Sequence, residues 1–371
     1  MKIKSIIVHG LFGKSAVMSY NFHDDLNILT GRNGSGKTTI MKLVWLIISG
    51  NVVTALREVS FSRCTLVTSE YTCTVTRTGP IQCKIELEID GERQLFEDDD
   101  IEDPEYEPFS ESDSAEEKAN PHIIAKGSSI FFPTFRRIEG GFSLVAGRSP
   151  RSRTLVKPTS EIDDALSALS RRLTNGEHTF VAAISTQDIV SLLLRRYASF
   201  SEEINAHQED VSRNVINKIK HFERTQSNRQ DAEALLSETR AEIEKIEDFR
   251  AYIMQPLSAV RSLAERLFQH AGIQFDKRLS FGDAAEAINS EQLSAGEKQM
   301  LSFICYNSFH NNSVIFIDEP ELSLHVDWQR QLYPILEPQK SGNQFIFATH
   351  SPFIYGKYPD KEVTIGDDRG E

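Results

Sequence analysis

The sequence predicts an α/β fold: a mixed β-sheet core with flanking helices, a β-rich lobe and an inserted helical arm. Three observations predict it. An apolar strand run, Leu26–Thr30, leads into the glycine-rich stretch GRNGSGKT at Gly31–Thr38 and then into a helical pattern. Far downstream, two more apolar runs, Val314–Ile317 and Phe345–Ala348, carry polar side chains at or just beyond their ends. Between the glycine-rich stretch and these runs lies a long interval rich in Glu, Arg, Lys and Leu at helical spacing.

Elements follow in order. Lys2–Val8, Ser19–Phe22 and Leu26–Thr30 read as strands, and Lys37–Ser49 as a helix with at least one buried face, from Ile40, Met41, Val44 and Ile47 or Ile48. Thr72–Thr78, the Gly79–Pro80 turn and the alternating Ile81–Asp90 form a hairpin. Glu97–Glu117 is almost wholly acidic, with Pro104 and Pro108, and is expected to be a disordered, solvated insert. Ser129–Phe132 resumes as a buried strand. From Thr159 the chain turns helical, and Asn175–Gly176 stop the first helix. Gln187–Arg224 and Arg229–Ile253, broken by Thr225–Asn228, read as an antiparallel helical hairpin with irregular heptads, hence a short arm. Pro256 should end it, with a further helix to about His270 and a cap at Gly272. Leu279–Phe281 and Ala284–Ile288 should return to the sheet. The domains expected are 1–158 (with the insert 97–117), a helical arm over 159–271, and 272–371.

Composition excludes several classes. A length of 371 residues suits one large domain with an insertion, and 39% hydrophobic residues suffice for a core. Leu43–Ile48 is too short to span a bilayer, and the N-terminus reads as a strand rather than a signal peptide. Cys64, Cys73, Cys83 and Cys305 show no metal spacing, so free thiols in a reducing cytoplasm are expected. The net charge of −13 argues against a surface broadly attractive to nucleic acid.

The candidate chemistry lies at the strand ends. Gly31, Gly34 and Gly36 let backbone N–H groups of the loop, which includes Arg32, Asn33 and Ser35, converge on a phosphate. Lys37 would bridge the β- and γ-phosphates of a nucleotide, and Thr38, followed by Thr39, would offer its hydroxyl to Mg²⁺. Asp318 is placed to hold the same Mg²⁺, and Glu319 to orient or deprotonate the attacking water. Ser294 and Gly296, in LSAGEKQ, open a helix and so form an anion site; Ser294 with Glu297 also has the spacing of a capping box. His350 follows the last strand and could sense a γ-phosphate. The basic stretch Arg148–Lys157 and the pairs Arg171–Arg172 and Arg195–Arg196 fit phosphate contact or solvated surface equally.

This ordered quartet of motifs resembles the ABC superfamily. The resemblance implies an ABC-type P-loop ATPase head that binds ATP and Mg²⁺. It implies that Ser294 grips the nucleotide of an opposite subunit, that His350 is the switch histidine and that Ser323–Asp327 contacts the partner. EPELSLHVDWQ and ATHSPFI resemble the SMC, RecF and OLD branch, and 256 positions separate Lys37 from Leu293, room for a β-rich lobe and an arm. The loop FFPTFRRIEGGF (Phe131–Phe142), with Arg136 and Arg137 where a glutamine loop would lie, resembles stand-alone ATPases of bacterial anti-phage systems of the Septu PtuA and PARIS AriA type. That likeness implies a homodimer around ATP, or a higher oligomer, acting as sensor or regulator of a separately encoded effector such as a nuclease. The alternative is a RecF- or SMC-like DNA-repair ATPase, which keeps nucleic acid open as a partner. No membrane partner is expected. Leu192–Leu194 and Ile216–Ile219 could serve partner contacts or the hairpin's own seam.

Overall fold

The computed structural model describes residues 1–98, 114–134, 161–182, 186–224, 229–268, 294–339 and 341–366. Packing divides the chain into two units: Met1–Ser185 with Ser294–Phe303 and His310–Glu371, and Thr186–Leu293 with Ile304–Phe309.

The first unit is built on two sheets, and the expected α/β class holds. β1 (Ile3–His9), β2 (Val17–Asn21), β4 (Arg63–Thr68), β5 (Thr72–Arg77), β6 (Cys83–Ile89) and β7 (Glu92–Glu97) form an antiparallel sheet in the order β2-β1-β4-β5-β6-β7. β3 (Leu26–Thr30), β8 (Ser129–Phe132), β9 (His178–Phe180), β10 (Val314–Asp318), β11 (Gln344–Ala348) and β12 (Glu362–Thr364) form a wholly parallel sheet, ordered β12-β3-β11-β10-β8-β9. All five residues of β3, of β10 and of β11 are buried, as central parallel strands require.

Helix α1 (Lys37–Ile48) is buried at every position from Leu43 to Ile48. A helix apolar all round belongs inside a core. Here one cluster joins it to Ile6, Leu66 and Val75 of the antiparallel sheet and to Phe131, Phe316 and Ile346 of the parallel one. Trp45 is its centre, with ring centroids 5.3 Å from Phe131 and 5.2 Å from Phe180. Gln344 stitches the two sheets. Its side chain accepts from the Ile3 N–H at 2.7 Å and donates to the Ile3 carbonyl at 2.8 Å, as a strand peptide would.

Three expectations change. The acidic stretch from Glu97 is shorter than its composition suggests. Glu97 ends β7, and Ser114 with Glu117 forms a capping box that opens helix α3 (Ala115–Ile124), following α2 (Val52–Glu58). The helical region expected from Thr159 begins with α4 (Glu161–Leu173), but β9 then joins the parallel sheet. The arm itself starts with α5 (Thr186–Arg224). Helix α6 (Arg229–Phe268) runs through Pro256 instead of ending there. A proline removes one helical hydrogen bond, and the 40-residue helix has many others to hold it. The spans 99–113, Arg136–Arg137, Arg148–Lys157, Thr225–Asn228, Gly272, Leu279–Ile288 and Leu293 lie outside the described residues.

In the second unit α5 and α6 are antiparallel, because Lys218 pairs with Glu242 (3.1 Å) and the His207 ring packs against that of Phe249 (centroids 4.1 Å, tilted by 31°). The half-buried side of α6 runs Leu235, Thr239, Glu242, Ile246, Phe249, Ile253, an unbroken alternation of three and four. The heptad is regular in position and irregular only in residue type. That is why the heptads read as irregular in the sequence.

Trp45→Ala should cost about 3–5 kcal/mol of stability, the range for truncating a buried aromatic. Chemical denaturation of the purified chain measures it. A loss under about 1 kcal/mol would show that the cluster is not central to the core.

Candidate nucleotide site

Because every strand of the second sheet is parallel, the carboxyl ends of β3, β8, β10 and β11 share one edge. The candidate residues meet there. Phe12, Asn33, Gly34, Gly36, Lys37, Thr38, Thr39, Asp318, Glu319 and His350 line one cavity of ≈ 330 Å³.

The loop after β3 needs its glycines. At Gly31 (φ 140) an added Cβ would lie 2.4 Å from the Ile365 carbonyl oxygen, and at Gly36 (φ 104) 2.8 Å from the Phe12 ring. Gly34 (φ 80) faces open space, so its role is conformational alone. Lys37 Nζ donates to the Gly31 carbonyl at 2.9 Å and the Arg32 carbonyl at 3.3 Å, across the loop. Burial lowers its pKa, opposed by Glu319, Asp318 and Glu321. The Ser35 hydroxyl is buried with no hydrogen-bond partner among the described residues.

Asp318, only 1% exposed, ends β10. One carboxylate oxygen accepts from Thr38 Oγ1 at 2.9 Å, and the other accepts from Thr134 Oγ1. A hydroxyl and a carboxylate side by side are hard oxygen donors, the chemistry a small divalent cation takes. Glu319 adopts φ 46, left-handed backbone that is uncommon for this residue. Its N–H donates to the Ala348 carbonyl at 2.8 Å, which fixes the turn to β11. Burial raises the Glu319 pKa, and the Asp318 and Glu321 charges add to the shift, while His350 and Lys37 oppose it. A carboxylate so placed is a better proton acceptor than a solvated one.

Sequence reasoning missed three contributors. Glu321 accepts from Thr349 Oγ1 and from the His350 N–H, both at 2.7 Å, and so fixes the chain at the histidine. Its only sequence signal is its place two residues after Glu319. Thr134 contacts Asp318 across 184 positions, and nothing local marks it. Phe12 enters the cavity from a positive-φ turn (φ 58) that joins β1 to β2.

Ser294 and Gly296 are not part of this cavity lining. Ser294 caps α7 (Ala295–Phe309), its hydroxyl accepting from the Glu297 N–H, and the full capping box is formed. Gly296 lies so close to the Ser323 carbonyl oxygen that an added Cβ would be 2.3 Å away. Gln299, buried in the same helix, donates from Nε2 to the Pro320 carbonyl at 3.1 Å. The helix that carries Ser294 and Gly296 thus rests on the turn that carries Glu319.

The fold and site define a phosphate-loop domain of the α/β class. The chain belongs to the family described as AAA domain, putative AbiEii toxin, Type IV TA system, whose profile matches residues 26–355. It is similar to the "Retron Ec83 probable ATPase" of Escherichia coli, 36% identical over 76 residues. That match spans 17% of this chain and 14% of the relative's length. Solved structures similar to it include an Smc head bound to the C-winged helix domain of ScpA, at 10% identity and a TM-score of 0.44, covering 100% of this chain and 95% of that one. A second is the Pyrococcus furiosus Smc head with an extended coiled coil bound to the C-terminal domain of ScpA, at 13% identity and a TM-score of 0.39, covering 96% and 91%. Among the described residues, no helix is long and apolar enough to cross a membrane.

Proposed function

We propose that this chain binds and hydrolyses ATP with Mg²⁺, closing head to tail with a second copy around the nucleotides. It would serve as the sensor or regulatory subunit of a bacterial anti-phage defence system, controlling a separately encoded effector. The observation that carries the ATPase reading is the convergence of Lys37, Thr38, Asp318, Glu319 and His350 on one cavity at the parallel strand ends. The defence setting draws support from the family's description and from the retron relative. The net charge of −13 weighs against the DNA-acting alternative.

In this reading the loop amides and Lys37 hold the phosphates, and the Ser35 hydroxyl has a free donor for them. Thr38 and Asp318 fit Mg²⁺, which when bound neutralises charge across the phosphates. Glu319 takes the proton of the attacking water, and its raised pKa suits that task. His350, kept in place by Glu321, contacts the γ-phosphate side of the cavity. Ser294 and Gly296 face the nucleotide of the partner copy, which accounts for their place outside this chain's own cavity.

Glu319→Gln should retain ATP, trap the closed dimer and slow hydrolysis roughly 100-fold or more. Lys37→Ala should lose nucleotide binding instead. Hydrolysis by Glu319→Gln at the parent rate removes Glu319 as the base. The trapped form, co-expressed with its gene neighbours, should also retain the effector. Recovery of no protein in either nucleotide state leaves the DNA-acting reading in front.

Lys37→Ala and Ser294→Arg chains should each be inactive alone. Mixed, they place both lesions in one shared site and leave the other intact, so activity should return in part. A monomer that hydrolyses ATP at undiminished rate would sink the shared site.

Glu321→Ala should lower kcat by roughly tenfold or more with KM for ATP little changed, since it releases the His350 backbone without touching the phosphate loop. An unchanged kcat would show that the clamp does not position the histidine.

A further inference from the structure

The arm presents a side that the hairpin does not use. The inward positions of α5 run from Leu193 to Lys218 at intervals of three and four, buried or half-buried, and the residue after each points elsewhere. One residue is about 100° of helix rotation. In two antiparallel helices facing each other, the same sense of rotation brings both to the same broad side. On α5 that outward row is Leu194, Tyr197, Ser201, Asn205, Gln208, Ser212, Ile216 and Ile219. All but the half-buried Ser201 are exposed, and none is charged. By the same rule Leu236, Arg240, Ile243, Glu247 and Arg250 of α6 lie on this side; Leu236 and Ile243 widen the apolar Ile216–Ile219 end, and the charged residues flank the row. The opposite row of α5 carries Arg195, Glu203 and Asp210.

The row reads the same from either end by chemical type. Two large apolar residues, a serine and an amide are followed by an amide, a serine and two large apolar residues. Leu194 and Ile219, Tyr197 and Ile216, Ser201 and Ser212, and Asn205 and Gln208 are all centred on one point, between Ala206 and His207. A palindromic row is self-complementary under a two-fold axis, which sets residue i against j and j against i. We propose that α5 pairs antiparallel with α5 of a second copy of this chain across this row. Leu194 then packs on Ile219, Tyr197 on Ile216, and the Asn205 and Gln208 amides bond each other.

Two further observations favour a second copy as the occupant. The chain carries a net charge of −13, so copies repel wherever charged faces meet, and this row is neutral along about 38 Å of helix. A groove of ≈ 590 Å³ also runs along this side, lined by Asn205, Gln208, Ser212 and Ile216 of the row and by Glu209, Arg213 and Lys220 at its margin. It offers a recess for side chains of a facing helix. The pairing needs no nucleotide and stands apart from the ATP-dependent contact proposed above.

The full chain, free of nucleotide, should have twice its 41.9 kDa mass by light scattering at micromolar concentration. Ile216→Lys should return it to one chain while a fluorescent ATP analogue still binds. Ser201→Cys/Ser212→Cys should form a covalent dimer with a short bismaleimide, and each single variant should not, because its own thiols stay about 16 Å apart along the helices. The described native cysteines are all buried, which keeps them silent. A nucleotide-free monomer overturns the pairing, as does a dimer that survives Ile216→Lys or cross-links equally through single cysteines. A partner of another kind on this row would appear as the first of these.

Discussion

The parallel register of one sheet is the constraint on which the rest depends. Parallel strands cannot be joined by tight turns, so every neighbour is reached by a crossover. That rule spreads the site over the chain, from Gly31 to His350, and leaves the connecting segments free to grow. Strands β4 to β7 of the antiparallel sheet and the helical hairpin both occupy such connections. It also gathers four strand ends on one edge, where Asp318 meets Thr38 from the loop and Thr134 from the end of β8. A buried carboxylate is tolerated because hydroxyls satisfy it.

The turn after β10 is the second structural fact of consequence. Glu319 and Ser323 both have positive φ, a conformation that costs on the order of 1 kcal/mol or more for residues with a side chain. Several contacts offset that cost: the bond from Glu319 to β11, the Glu321 clamp on Thr349 and His350, and the Gln299 bond to Pro320. Strain held in this way keeps a side chain in one orientation. The turn therefore joins three motifs that lie far apart in the chain, so that displacing the α7 N-terminus would act directly on the backbone of Glu319 and Pro320.

What the sequence reveals follows from the range of the interactions. The phosphate loop and the strands ending at Asp318 and Ala348 are written in local patterns, so they can be read without a structure. The arm's two helices are legible for the same reason. Thr134 and Phe12 owe their places to contacts across the fold, and a threonine or phenylalanine near a turn carries no mark of that. Local signals also misled: acidity masked the capping box at Ser114, and Pro256 suggested an end where the hydrogen bonds of a 40-residue helix carry it on. Gln344 looks like one more polar residue in an apolar strand, yet it ties two sheets together.

The arm shows the limits of reading apolar residues as core. Leu193 is buried, whereas Leu194, Ile216 and Ile219 are exposed, so the same short runs divide between the two uses. The inward positions hold Leu193, Phe200, Ile204, Val211 and Val215 on α5 and Leu235, Ile246, Phe249 and Ile253 on α6, interrupted by Arg196, His207, Lys218, Thr239 and Glu242, while the outward row of α5 holds four further large apolar residues. A hairpin standing alone in water needs only its inward stripe to be apolar, so four large apolar residues on the outward row are a surplus. Ion pairs such as Lys218 with Glu242 fix which positions face each other but, at exposed sites, contribute little to stability. The arm therefore carries apolar surface on its outside beyond what its own seam uses. Burying that surface requires a second one to cover it, and the palindrome along α5 makes another copy of the same helix the surface that fits.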